Sequence, residues 1–294
     1  MPALLRTRGI NMEQLSSLAV SSMIREVELC PKPGLVDRLN NGAHRDMTPE
    51  IFYCSAKAIG PFFKEMLLST SIDSPSEKVL PEIRPAGIRA EKAMFQATGG
   101  INTHKGQIFS LGVCLAAVNR VICQPEEAGI NRISGVEILM EAGKICRGIS
   151  EELKHSGPAS SHGEKLYREG GYRGIRGEAE SGFASVRLRA LPRLKKLLKS
   201  GCTPEEASLE TLILLYSFVE DSNVLHRCGT GGLKMLRHLS TSFLKEGGIR
   251  QQGAVCRLQG MNSIFTSMNI SPGGCADLLA LTLFVHSIEE AYEL

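Results

Sequence analysis

Five polar stretches of the chain carry residue types that an ordinary loop does not need. They are Pro31-Lys32-Pro33-Gly34-Leu35-Val36-Asp37-Arg38, continued by Asn40, His44 and Asp46; Thr98-Gly99-Gly100-Ile101-Asn102-Thr103-His104-Lys105-Gly106; Gly170-Gly171-Tyr172-Arg173-Gly174-Ile175-Arg176-Gly177-Glu178; Asp221-Ser222-Asn223-Val224-Leu225-His226-Arg227; and Ser271-Pro272-Gly273-Gly274-Cys275-Ala276-Asp277. They mix glycines with cations and hard oxygen ligands. The second opens the most apolar helical stretch of the sequence. Free backbone N–H groups and the positive end of a helix dipole would there face a loop to which Lys105 adds a formal charge, a geometry suited to phosphate. Gly99-Gly100 also reads, more plainly, as the cap between two helices. Gly273-Gly274 repeats the pattern, with Asp277 in the first turn that follows.

Magnesium takes oxygen ligands, often one or two carboxylates plus substrate phosphates, and Asp37, Asp46, Glu178, Asp221 and Asp277 are the candidates. Each can equally be a structural carboxylate. His44, His104 and His226 lie beside Asp, Lys or Arg in these stretches, which suits phosphate binding or acid–base work. No Cys/His spacing for zinc occurs. Arg38, Arg173, Arg176 and Arg227 could fork onto phosphates, and Lys32 could add a charge. There is no G-x-x-x-x-G-K-[ST] loop and no strand followed by G-x-G-x-x-G. The residues alone point to a helical, magnesium-using protein for a phosphorylated ligand.

The elements that must position these residues are helices. Apolar residues recur at helical spacing from Met12 to Leu29, closing at Pro31 and Pro33. Thr48-Pro49 reads as an N-cap before Ile51 to Ile59, with Pro61 restarting the chain toward Leu68, and Ser69 to Glu82 reads as a surface loop. Helices are expected over about Ala86 to Ala97 and Gly106 to Cys123, the latter apolar on most sides and hence central. Capping boxes at Ser134-x-x-Glu137 and Thr203-x-x-Glu206 open helices to about Leu153 and Val219, while Lys154 to Gly177 reads as polar and glycine-rich. Further helices are expected from Leu233 to Leu244, Ala254 to Met268 and Cys275 to Tyr292. Strand patterns are lacking, so the expectation is one all-α domain over residues 1–294 with glycine-rich loops forming the site.

Composition narrows the function. With 34 Lys plus Arg against 31 Asp plus Glu, the net charge of +3 offers no general nucleic-acid surface. Nine cysteines without a C-x-x-C, and no run of eighteen uncharged apolar residues, suggest a cytoplasmic protein without a membrane span.

The strings PKPGLVDRLNNGAH, TGGINTHKGQIFSLG, RGIRGEAESGF and SPGGCADLLALTLF, in that order, resemble the triphosphoribosyl-dephospho-coenzyme A synthase family from about Met23 to Val285. Cys228 and Cys275 depart from the family's more usual Gly and Ser. The resemblance implies an all-α enzyme that moves the triphosphoribosyl group of ATP to 3′-dephospho-coenzyme A with release of adenine. The product would become the prosthetic group of the citrate lyase acyl carrier protein, through the enzyme that attaches it, or of malonate decarboxylase in a sister branch. Such a transfer passes through an oxocarbenium-like state that needs a carboxylate near the developing charge, a base for the hydroxyl and an acid for adenine. On this reading Asp37, Glu178, Asp221 and His104 are catalytic and Asp37, Asp46, Glu178, Asp221 and Asp277 are metal candidates. Lys32, Arg38, Asn40, His44, Gly99, Gly100, Asn102, Thr103, Lys105, Arg173, Arg176, Asn223, His226, Arg227, Gly273 and Gly274 then contact substrates, Lys105 and Arg176 the triphosphate, and the five stretches converge on one cleft. A magnesium-dependent N-glycosidase and a non-catalytic nucleotide or coenzyme A binding protein are the alternatives.

Overall fold

The computed structural model describes residues 11–123, 133–154 and 162–293, and no strand occurs among them. Twelve α-helices follow one another: α1 (Met12–Glu28), α2 (Pro49–Ser69), α3 (Ser76–Ala97), α4 (Lys105–Cys123), α5 (Gly135–Ile145), α6 (His162–Gly170), α7 (Gly174–Glu180), α8 (Leu191–Lys199), α9 (Pro204–Tyr216), α10 (Ser222–Lys245), α11 (Ala254–Ser267) and α12 (Gly273–Glu293). The all-α expectation therefore holds.

α4 is the central rod. Leu111, Cys114, Leu115, Ala116, Ala117 and Val118 have no accessible surface, because α2, α3, α5 and α12 pack around them. Among the described residues α4 is the one helix long and apolar enough to cross a membrane, but 78% of that apolar window is covered by its neighbours. Its apolarity is thus that of a core helix, apolar on all sides because it is packed on all sides. α12 is buried in the same way through Leu279, Leu281, Phe284, Val285 and Ile288, and lies against α1, α4 and α9.

The helix starts follow the caps. Asn11 and Gln14, Ser134 and Glu137, and Thr203 and Glu206 form reciprocal capping boxes, so two of the orphan N–H groups at each start are satisfied by side chains. Three features differ from the sequence reading. Pro61 lies inside a continuous α2, and α3 begins at Ser76 despite Pro81 and Pro85, so the loop is far shorter than Ser69 to Glu82. A proline within a helix costs about 3 kcal/mol, which the burial of Ile59, Phe63, Val79, Leu80, Ile83 and Ala86 between the two helices offsets. Arg120 of α4 then ties down the connection by donating to the carbonyls of Ser71, Ile72 and Ser74. Second, α5 stops at Ile145, a separate 3-10 turn covers Ile149–Lys154, and the stretch that reads as glycine-rich loop holds α6 and α7. Third, α10 starts at Ser222 behind its cap Asp221, not at Leu233, and is broken by Gly229, whose φ of 62° and ψ of −164° lie outside helical space.

Candidate active site

Three helix N-termini meet at the centre of the protein. α4 begins at Lys105, and at Gly106 its backbone runs so close to α12 that a Cβ there would overlap the Asp277 carboxylate. α12 begins at Gly273 and Gly274, where added Cβ atoms would stand 2.6 Å from Asn223 Nδ2 and 3.0 Å from Asp221 Oδ2. α10 begins at Ser222, behind the cap residue Asp221. Glycine is needed at Gly106 because only a residue without Cβ lets one helix start lie against a carboxylate on another, and Gly274 is a tight fit for the same reason.

Asp221 joins two of these starts. Its Oδ1 accepts from the N–H groups of Asn223 and Val224 at 2.9 and 3.1 Å, and its Oδ2 accepts from the Cys275 N–H at 2.8 Å. Burial pushes its pKa up, while those N–H donors pull the other way. Asp277 is raised well above the usual carboxylate range by burial and by the neighbouring charges of Glu26 and Asp221, with only a hydrogen bond from Gln107 opposing. Glu26 in turn is buried on α1 and holds the equally buried Lys32, whose Nζ donates to both the Glu26 carboxylate and the Glu26 carbonyl at 2.6 Å.

The first polar stretch wraps this centre. Asp37 organises it: Oδ2 accepts from the Lys32 N–H, and Oδ1 accepts from the N–H groups of Leu39 and Asn40 and from Asn40 Nδ2. Gly34 packs on the Ile270 carbonyl and Pro272, just before α12. His104 is fully buried at the start of α4, with Nδ1 2.7 Å from Ser55 Oγ and, among the described residues, no hydrogen-bond partner at Nε2. Burial and the Lys32 charge lower its pKa to about 3, so it stays neutral at physiological pH. Thr103 donates to the same Ser55 hydroxyl. The third stretch reaches the centre at two points, where Gly174 lies against Ser222 and the Glu178 charge acts on Cys275. Glu178 itself accepts from the Ser185 hydroxyl and N–H.

The cations other than Lys32 lie further out. Lys105 rests on Glu91 at 2.9 Å, Arg38 on Glu205 at 3.3 Å and Arg173 on Glu180 at 3.8 Å, while Arg176 lies between Glu152 and Glu164. Gly99 and Gly100 cap α3, the Gly100 N–H returning to the Phe95 carbonyl, and Asn102 accepts from the Lys105 N–H. Asn40 accepts from Asn262. His44, Asp46 and Arg227 line a separate surface cleft of about 590 Å³, and His226 stands one residue before Arg227 on α10.

The profile of the ATP:dephospho-CoA triphosphoribosyl transferase family (CitG) matches residues 12–294. A curated relative from Citrobacter koseri, a probable 2-(5″-triphosphoribosyl)-3′-dephosphocoenzyme-A synthase, is 43% identical over 281 residues, covering 94% of this chain and 91% of its own. The chain belongs to the ATP:dephospho-CoA triphosphoribosyl transferase family. No solved structure matches it. As a member of this transferase family the chain is an enzyme.

Two buried polar residues of the candidate site, Glu26 and Gln107, lie outside the five polar stretches. Glu26 and Gln107 lie inside helices, where periodicity marks only core and surface. Glu26 nonetheless left a signal, since it falls on the buried stripe of Leu15, Ala19, Ser22 and Met23, where a lone charge demands a partner. Gln107 left none.

Proposed function

We propose that the chain transfers the triphosphoribosyl group of ATP to a ribose hydroxyl of 3′-dephospho-coenzyme A and releases adenine. The convergence of three helix N-termini on buried carboxylates carries this reading. Helix N-termini with their free N–H groups and dipoles suit the triphosphate, which stays on the transferred sugar. Carboxylates beside them suit the positive charge that gathers on the anomeric carbon as its bond to adenine stretches. Lys105, seated at the start of α4, would leave Glu91 to pair with phosphate. His104, neutral and enclosed, fits a positioning role through Ser55 better than proton transfer.

Magnesium fits this site only together with substrate. Among the described residues no three His, Cys, Asp or Glu side chains stand close enough to hold a metal. The oxygens of Asp37, Glu178 and Asp221 are already taken by hydrogen bonds, and Asp46 lies in the outer cleft. Asp277, with Glu26 behind it, is the carboxylate with the fewest competing donors and would hold the ion with phosphate oxygens. Bound there, magnesium would neutralise charge between the triphosphate and the carboxylates.

The resemblance of the four strings extends the reading to citrate lyase, whose acyl carrier protein would receive the finished prosthetic group from a separate attaching enzyme. Nine cysteines, none of them paired, suit a reducing cytoplasmic setting. Incubation with ATP, magnesium and 3′-dephospho-coenzyme A is expected to yield adenine and an acceptor heavier by one triphosphoribosyl group. Adenine formed equally well without the acceptor would make the protein a glycosidase, and binding without adenine would make it a carrier. Full turnover in excess chelator would remove the metal.

A further inference from the structure

The surface cleft of about 590 Å³ lies outside the meeting point of the helices, yet it is tied to it. Its walls are Gly42, Ala43, His44, Arg45 and Asp46 on one side and Arg227, Thr266, Ser267 and Asn269 on the other. Arg227 straps the walls together, donating from Nη2 to the Ala43 carbonyl at 2.5 Å and from Nε to the Asn269 carbonyl at 3.1 Å. Arg45 is exposed and makes no hydrogen bond or ion pair with the described residues. Two guanidiniums against the single carboxylate of Asp46 leave the cleft positive, as an anionic ligand requires.

His44 connects the cleft to the centre. Its Nε2 lies 2.7 Å from the hydroxyl of Ser271, a buried residue two positions before Gly273. Asp46 Oδ1 stands 3.9 Å from the other nitrogen, Nδ1, on the cleft side. A ring whose Nε2–H donates to Ser271 keeps a lone pair on Nδ1, turned to the cleft and next to a carboxylate that would favour the protonated ring. Arg227 and Asp46 are the charged groups that face the ring across the cleft.

We propose that this cleft binds the acceptor nucleotide, with Arg45 and Arg227 on its diphosphate, and that His44 Nδ1 takes the proton from the attacking ribose hydroxyl. The inference rests on the transfer reading above. In the step, the acceptor oxygen bonds to the anomeric carbon of ATP while the bond to adenine breaks. Adenine leaves with the bond pair and takes a proton from solvent. The hydroxyl proton passes to His44 and then to water, with Asp46 stabilising the charged ring and Ser271 acting as a positioning residue.

The test uses the full chain, with wild-type adenine release and product mass measured first. If wild type makes no transferred product, the transfer reading itself fails. If it does, Arg45→Ala, a change at an exposed side chain, is expected to raise the KM for 3′-dephospho-coenzyme A about tenfold and leave the KM for ATP unchanged. His44→Gln is expected to lower kcat by about a hundredfold or more and to abolish the acid limb of the pH profile, without weakening ATP binding. An unchanged acceptor KM in Arg45→Ala, or a raised ATP KM instead, would overturn the assignment of the cleft. A His44→Gln enzyme that keeps its acid limb would overturn the base. Should His44→Gln not fold, Asp46→Asn at an exposed position is expected to shift that limb, and an unmoved limb would count against the same step.

Discussion

Glu26 and Lys32 form their ion pair with 2% of either side chain exposed, whereas Lys105 and Glu91 form theirs with 51% and 31% exposed. Both pairs sit within reach of the same helix starts, but they do different work. The inner pair is sealed: Lys32 is held by two oxygens of Glu26, and neither charge can meet water if the other is removed. The outer pair is solvated, and its lysine can leave Glu91 at small cost. The carboxylates repeat the contrast, with Asp37 and Asp221 enclosed at the centre and Asp277 half-buried beside them, while the partners of Arg38, Arg173 and Arg176 lie toward the rim. The protein thus keeps a centre of carboxyl groups already built and a rim of solvated cations that can be redirected, the order in which a metal-bound polyphosphate would be met.

The largest effect expected from this contrast follows Lys32→Met. It leaves Glu26 buried without a counter-charge beside Asp277, a loss of about 3–5 kcal/mol, readable as a lowered urea midpoint. A loss below about 1 kcal/mol, the range of an exposed pair, would show that the centre is better hydrated than its burial indicates.

Next comes Gly106→Ala. The added methyl meets the Asp277 carboxylate, so the helix starts must separate. Overpacking of this kind costs about 1–3 kcal/mol, and adenine release is expected to fall with it. Gly231→Ala, in α10 where nothing lies within 4 Å of the new Cβ, is the control. It is expected to be neutral or to stabilise by about 0.4–1 kcal/mol. Equal behaviour of the two variants in thermal denaturation would remove the argument from close approach.

A smaller, pH-dependent effect belongs to His104. Its pKa falls from 6.5 to about 3 on folding, so between those values the unfolded chain binds the extra proton. Its contribution to stability is therefore present above pH 6.5 and lost as pH falls through the window. Asp221 and Asp277, with raised values, act in the opposite direction, their burial costing more as pH rises. The difference in stability between wild type and His104→Gln is thus expected to narrow from pH 7 to pH 4.5. A constant difference would mean that the ring is reached by solvent.

Smallest is Lys105→Ala, expected to change stability by less than about 1 kcal/mol while raising the KM for ATP about tenfold. An unchanged KM would confine Lys105 to its pair with Glu91.

The same division by depth explains what could be read from the sequence. Caps and helical periodicity located α1, α4, α9, α11 and α12 to within a few residues, because Thr203 with Glu206, or the apolar positions of α4, act locally. The five polar stretches were legible as well, since glycines and charges stand out between apolar runs. What each side chain does was not legible. Asp37 and Asp221 look alike as loop carboxylates, yet one folds its own turn and the other caps one helix while holding the start of another 54 residues away. Such roles depend on which chain segment arrives opposite, and spacing does not encode that. Pro61, Pro81 and Pro85 misled for the same reason, their local cost being outweighed by the packing of α2 on α3.

The break at Gly229 turns the first two turns of α10 into a short rod. Asp221 stands at one end of it and Arg227 near the other, six residues or about 9 Å along the axis. One end grips the start of α12, and the other spans the cleft. Because the backbone at Gly229 leaves helical space, the rod and residues 230–245 are two segments joined at a kink. A ligand that pulls on Arg227 would therefore be felt at Asp221 as leverage. Two ligands taken up at different places would then be linked through six residues of backbone.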